Sequence, residues 1–175
     1  KFLLVGLPDN AVKESHYRIS AALNNIGFKI PVKEIIINLA PADVKKEGSA
    51  YDLPIALGIL SASNQVQLNN LNLFMVMGEL SLDGMIKPIK GVLSMALKAK
   101  EMGLKGIVVP KGNVSEAVLV KGIEVIGVSS LKQVLAHFSS GPYLKPAKYR
   151  TVLNEQSRDL DFSDVVGQQI AKRAI

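Results

Sequence analysis

The chain has 175 residues, 48% of them apolar and 21% charged, which suits one globular domain, or one with a tail, and excludes wholesale disorder. It has no cysteine and only two histidines, His16 and His137. Disulfide scaffolds, thiol nucleophiles, iron–sulfur clusters and Cys-ligated zinc are therefore excluded, and a histidine-built site is disfavoured. The net charge of +6 permits a polyanionic partner without demanding one, and no apolar run reaches the roughly 18 residues of a membrane span.

Taken in order, residues 2–5 read as a strand. Asp9 is placed to cap the helix that follows, whose Val12, His16, Ile19, Leu23 and Ile26 share one face and which Gly27 ends. Residues 34–39 (EIIINL) form a strand, and three consecutive isoleucines suggest burial on both faces. The polar stretch 41–49 is a loop. Residues 50–63 are an apolar core helix, with Pro54 tolerable in its first turn. Asp83-Gly84 joins two β-type runs, 74–82 and 85–88, and predicts a hairpin. A helix over 91–102 stops at Gly103, and 106–109 is a strand. Asn113 and Glu116 have capping-box spacing and open a short helix to 120. A strand over 123–128 and a helix over 130–138 complete an α/β layered domain, a mixed sheet with packed helices. Residues 139–163 carry scattered prolines and little periodicity, and read as a linker. Helical spacing resumes over 164–175. The chain opens KFLLVGLPDN, without Met or a signal peptide's basic start, and stops at AKRAI inside a helical pattern. It is read as a fragment of a longer cytoplasmic protein.

Several chemistries can be weighed. No GxxxxGK[ST] phosphate cradle occurs, nor GxGxxG, nor HExxH. Ser49, in a Gly-Ser-Ala turn before a helix, is the sharpest nucleophile candidate. Lys45, Lys46, Lys87 and Lys90 are its possible bases, and the bland alternative is a serine that merely caps the helix. A triad of Ser49, His16 and Asp43 is weaker, because His16 falls on an apolar face. Asp52 suits the dipole of its helix, and Glu79 suits a cross-strand pair. Together they also offer an acid–base or metal pair at no fixed separation. Arg18, Lys29, Lys33, Lys45 and Lys46 offer a basic patch for phosphate, against the alternative of a solvated face.

Four phrases carry a family resemblance: VGLPDNAVKESHYRISAALNNIGF, INLAPADVKKEGSAYDLPIALGILSAS, MGELSLDGMIKPIKGVLSMALKAKEMG and IVVPKGNVSEAVLVKGIEVIGVSSL. Together they resemble the N-terminal domain of the magnesium-chelatase-like AAA+ ATPases, the ComM/YifB group, over residues 2–138. The resemblance implies a Lon-protease-like, ribosomal protein S5 domain 2-like fold for 1–138, a linker over 139–163, and the start of an ATPase module at 164–175. Aligned with the Lon pattern, Ala50 takes the nucleophile position, while Pro88-Ile89-Lys90-Gly91-Val92 places Leu93 at the lysine position. The resemblance thus implies a non-proteolytic domain with no catalytic residue of its own. It further implies a parent that is an ATP- and Mg-dependent hexameric DNA motor of natural transformation. This domain would meet its own ATPase domain, other copies of itself and DNA; for DNA, the basic residues read above offer Arg18, Lys45 and Lys46. Val165, Val166 and Gly167 match part of an adenine site, and no cofactor or metal is expected on this piece alone. Two alternatives stay open: a residual Ser–Lys peptidase using Ser49, and a domain for protein interaction or oligomerisation only.

Overall fold

The computed structural model describes residues 2–141, 144–148 and 166–168. Its elements follow the expected alternation. Strand β1 (Phe2–Val5) leads to Asp9, whose carboxylate accepts the Val12 N–H at 2.8 Å and so starts α1 (Asn10–Lys13). The expected single helix is broken once, at Glu14, before α2 (Ser15–Asn25). Strand β2 (Ile35–Asn38) lies parallel to β1, with Phe2 opposite Ile35 and Val5 opposite Asn38. Phe2, Leu4, Ile35 and Ile37 pack on the core, whereas Ile36 is 63% exposed. The expectation that this strand is buried on both faces is corrected: period-2 alternation sends its middle isoleucine outward among the described residues.

Helix α3 (Asp52–Ala62) begins later than expected, after a tight turn over Ser49–Tyr51, and Pro54 falls in its first turn. It is apolar almost all round because it is the central support: Leu53, Leu57 and Leu60 are fully buried against Ile19, Ala22 and Leu23 of α2. The expected strand 74–82 is two strands. Strand β3 (Phe74–Val76) belongs to one sheet, and β4 (Glu79–Leu80) pairs antiparallel with β5 (Ile86–Lys87). The break is at Gly78, whose N–H donates to Ala50 and whose carbonyl accepts the Leu53 N–H. A methyl group on Gly78 would lie 3.0 Å from Ile86 Cγ2 and 3.2 Å from Leu53 Cδ2, so glycine lets the strand pass close to the start of α3 without displacing those two side chains. The Asp83-Gly84 turn forms as read, with Gly84 at φ +82 and the Asp83 carboxylate accepting the Met85 N–H.

Helix α4 (Val92–Glu101), β6 (Gly106–Pro110), α5 (Val114–Ala117), β7 (Glu124–Val128) and α6 (Leu131–Ser139) follow. Strands β3, β6 and β7 make a parallel sheet in that order. β6 is buried along its whole length, with Val108 facing the α2–α3–α6 core and Ile107 and Val109 facing a second core under α4 and α5. Asn113 does not cap α5, which corrects the capping-box reading. Its amide bridges the N–H and carbonyl of Ile89, while Glu116 accepts the Leu93 N–H at 2.8 Å. Asn113 is drawn to the loop before α4 and Glu116 to the first turn of α4, where free backbone groups need partners. Past α6, part of the stretch expected as a linker is held on the domain: Leu144 packs on the main core and the Ala147 N–H donates to Val125 at 2.8 Å.

Candidate functional site

The polar corner of the molecule lies where α2, the turn over Ser49–Tyr51, the start of α3 and β4 meet. Asp52 is fully buried, and three donors converge on it. Arg18 Nε donates to Oδ2 at 2.7 Å, Arg18 Nη2 to Oδ1 at 2.9 Å, and the Leu80 N–H to Oδ2 at 3.1 Å. Arg18 Nη2 also donates to the Ala11 carbonyl at 2.7 Å. This two-pronged guanidinium–carboxylate geometry fixes α2 to the first turn of α3. Burial pushes the Asp52 carboxyl above its ordinary range, while Arg18 and the Leu80 amide oppose it; the hydrogen bond to Asp52 in turn raises Arg18. With its oxygens occupied, Asp52 is a structural anchor, and among the described residues no group of three acidic or imidazole side chains is placed to hold a metal.

Ser49 turns its hydroxyl away from α3 and donates it to the Glu79 carboxylate. This corrects the reading of Ser49 as a helix cap, because α3 starts three residues later with no side-chain cap. Asp9 supports the same turn: its Oδ2 accepts the Gly48 N–H at 3.0 Å, and its N–H donates to Lys46. The Val12 and Gly48 N–H groups hold the Asp9 carboxyl below its usual value. Ala50 is buried in the turn, while Leu93 sits on the first turn of α4, 37% exposed, with an aliphatic side chain and its N–H occupied by Glu116.

The candidate lysine bases do not reach Ser49. Lys45 pairs with Glu47 at 2.7 Å, Lys46 is 5% exposed with its ammonium on the Pro41 and Val44 carbonyls, and Lys87 and Lys90 face solvent. His16 stacks on Tyr17, with ring centres 3.7 Å apart, and no hydrogen bond links it to Ser49 or Asp43. Of the residues expected to meet phosphate, Arg18 and Lys46 therefore point their charge inward. Lys29, Lys33 and Lys45 are exposed. Val166 is 96% exposed and Gly167 is exposed, while Val165 lies outside the described residues. The Arg18–Asp52 and Ser49–Glu79 pairings escaped sequence reasoning; the available signal was a charge beside leucines at a core helix start, which requires a partner.

Residues 1–113 match the model of the family described as subunit ChlI of Mg-chelatase. The chain is 39% identical to the competence protein ComM of Haemophilus influenzae, over 99% of this chain and 35% of that protein. It is 40% identical to YifB of Escherichia coli, over 98% of this chain and 34% of that protein. It is 30% identical to Lon protease 2 of Bacillus subtilis, over 83% of this chain and 26% of the protease. The chain spans about a third of the length of the ComM and YifB relatives. The α/β architecture together with the Lon relative fits a Lon-like fold. This chain belongs to the family of subunit ChlI of Mg-chelatase.

Proposed function

We propose that this chain is a non-proteolytic Lon-like domain of a larger AAA+ ATPase. It braces the motor and does no covalent chemistry of its own. The observation that carries the reading is the state of the two Lon catalytic positions: a buried Ala50 and an aliphatic Leu93. The neighbouring Ser49 hydroxyl is bonded to Glu79, and among the described residues no lysine hydrogen-bonds to it to take its proton. Arg18 with Asp52 and Ser49 with Glu79 satisfy one another, as a scaffold requires, while the buried Ser15 hydroxyl at the start of α2 has no hydrogen-bond partner among the described residues.

The parent is proposed to be an ATP- and Mg-dependent hexameric motor on DNA, cytoplasmic and linked to natural transformation. The ComM relative's name supports the last point. Val165, Val166 and Gly167 are proposed to give apolar and backbone contacts to adenine once the phosphate cradle of the ATPase module is present. Residues 1–138 form the Lon-like domain in this proposal, 139–163 the connection, and 164–175 the entry to the module.

The test is labelling with a fluorophosphonate probe, alongside hydrolysis of unfolded casein. No labelling of Ser49 and no hydrolysis are expected. Labelling or hydrolysis that disappears in Ser49→Ala overturns the non-proteolytic reading in favour of a residual peptidase.

A further inference from the structure

The positive charge is unevenly distributed. Residues 1–83 hold seven basic against eight acidic side chains, whereas residues 84–141 hold eight lysines against three acids. All eight of those lysines are exposed. Four of them lie on elements that meet at the end of the parallel sheet where β6 and β7 begin, with the Lys105 ammonium turned toward Phe74 on the face that packs on the main core. Lys98 and Lys100 lie in the last turn of α4, and Lys105 immediately precedes β6. The Lys105 carbonyl accepts the Glu124 N–H at 3.0 Å, which sets the turn carrying Lys121 beside it. A methyl group on Gly122 would lie 3.7 Å from Lys100 Cε and 3.8 Å from its Nζ, so Lys100 and Lys121 are neighbours across 21 residues of sequence.

We propose that this rim, Lys98, Lys100, Lys105 and Lys121, is the domain's contact with the phosphate backbone of duplex DNA. The choice of ligand rests on the reading of the parent as a DNA motor; the location rests on the rim itself. Lysine at a helix C-terminus also offsets the helix dipole, which accounts for Lys98 and Lys100 but not for Lys105 or Lys121 on other turns. Glu101 and Glu124 pair with Lys98 at 2.8 Å and Lys105 at 3.4 Å, but all four side chains are at least 38% exposed, so these pairs are screened and readily exchanged. Lys100 and Lys121 have no acidic partner among the described residues. Lys105 lies over the Phe74 ring at 5.6 Å, while no aromatic ring is placed under Lys98, Lys100 or Lys121 among the described residues, and such point charges suit sequence-independent backbone contact rather than base reading.

The test is fluorescence anisotropy of the whole chain with a duplex of about 30 base pairs across a salt series, starting near 50 mM. Lys100→Glu/Lys121→Glu is compared with Lys29→Glu/Lys33→Glu/Lys45→Glu. The rim pair is expected to weaken binding by about tenfold or more, and the other set by less than about twofold. Lys100→Gln/Lys121→Gln is expected to reduce the salt slope by about two. Melting curves matching the wild type certify the fold of each variant, and the glutamine pair serves if the glutamate pair misfolds. The surface is overturned if the wild type binds no duplex at low salt, if both sets weaken binding equally, or if polyglutamate of equal charge competes as well as DNA. None of those outcomes touches the non-proteolytic reading, which the labelling of Ser49 decides on its own.

Discussion

The two halves of this domain treat their charges in opposite ways. Around α3, the ionic groups face one another: Arg18 locks onto a fully buried Asp52, and Ser49 onto Glu79. Around α4, the interior is apolar, built from Val92, Ala96, Ala99, Ile107, Val109 and Val125, and the lysines are exposed. The buried charge beside α3 is part of the architecture, whereas the exposed lysines around α4 are available to a partner. Substitutions should therefore alter stability in the first half and binding in the second.

Arg18→Ala should break this contrast most severely. It leaves Asp52 buried without its counter-ion, and breaking such a pair costs about 3–5 kcal/mol. Urea unfolding should show that loss, whereas Lys100→Gln should stay within about 0.5 kcal/mol of the wild type. Equal small effects would mean that Asp52 finds water, and that the corner is open.

Asp9→Ala comes next. It removes the cap of α1 and the acceptor for Gly48, at about 1 kcal/mol. Because the folded carboxyl titrates below the ordinary 3.8, its contribution is complete above that pH and is lost as the pH falls through the lower folded value. Asp9→Asn should flatten stability below about pH 4 and leave it unchanged in slope above. An unaltered acid limb would assign acid unfolding to other carboxylates.

His137 gives the smallest effect and sharpens the other side. Burial lowers its pKa from 6.5, with Glu124 opposing and Lys105 assisting. The unfolded chain then binds more protons, so stability is full above 6.5 and declines as the pH drops below it. His137→Gln should remove that decline in thermal melts between about pH 7.5 and 5.5. A decline that persists would place the titrating group elsewhere.

Much of the fold was legible because it is local. The Asp9 cap, the Asp83-Gly84 turn and the apolar α3 each declare themselves within a few residues. What was not legible depends on distant neighbours. Arg18 and Asp52 are 34 residues apart, and Asn113 reaches back 24 residues to bond Ile89 instead of capping its own helix. The triple isoleucine misled for the same reason: residue type reports apolarity, but only the sheet decides which faces are covered. For the candidate site, the family resemblance drew attention to positions 50 and 93 as an expectation, while the commitment of the Ser49 hydroxyl to Glu79 needed three dimensions.

The short stretch past α6 has a practical consequence. Its half-buried Leu144 packs against the main core, its backbone N–H donates to His137 Nδ1 at 3.2 Å, and Ala147 is tied to β7. A gene truncated at Phe138, where the sequence pattern changes, would yield a product with an uncovered apolar notch and an open sheet edge, both of which invite aggregation. Truncation after Lys148 keeps that cover, so the minimal unit for expression extends ten residues beyond the apparent boundary.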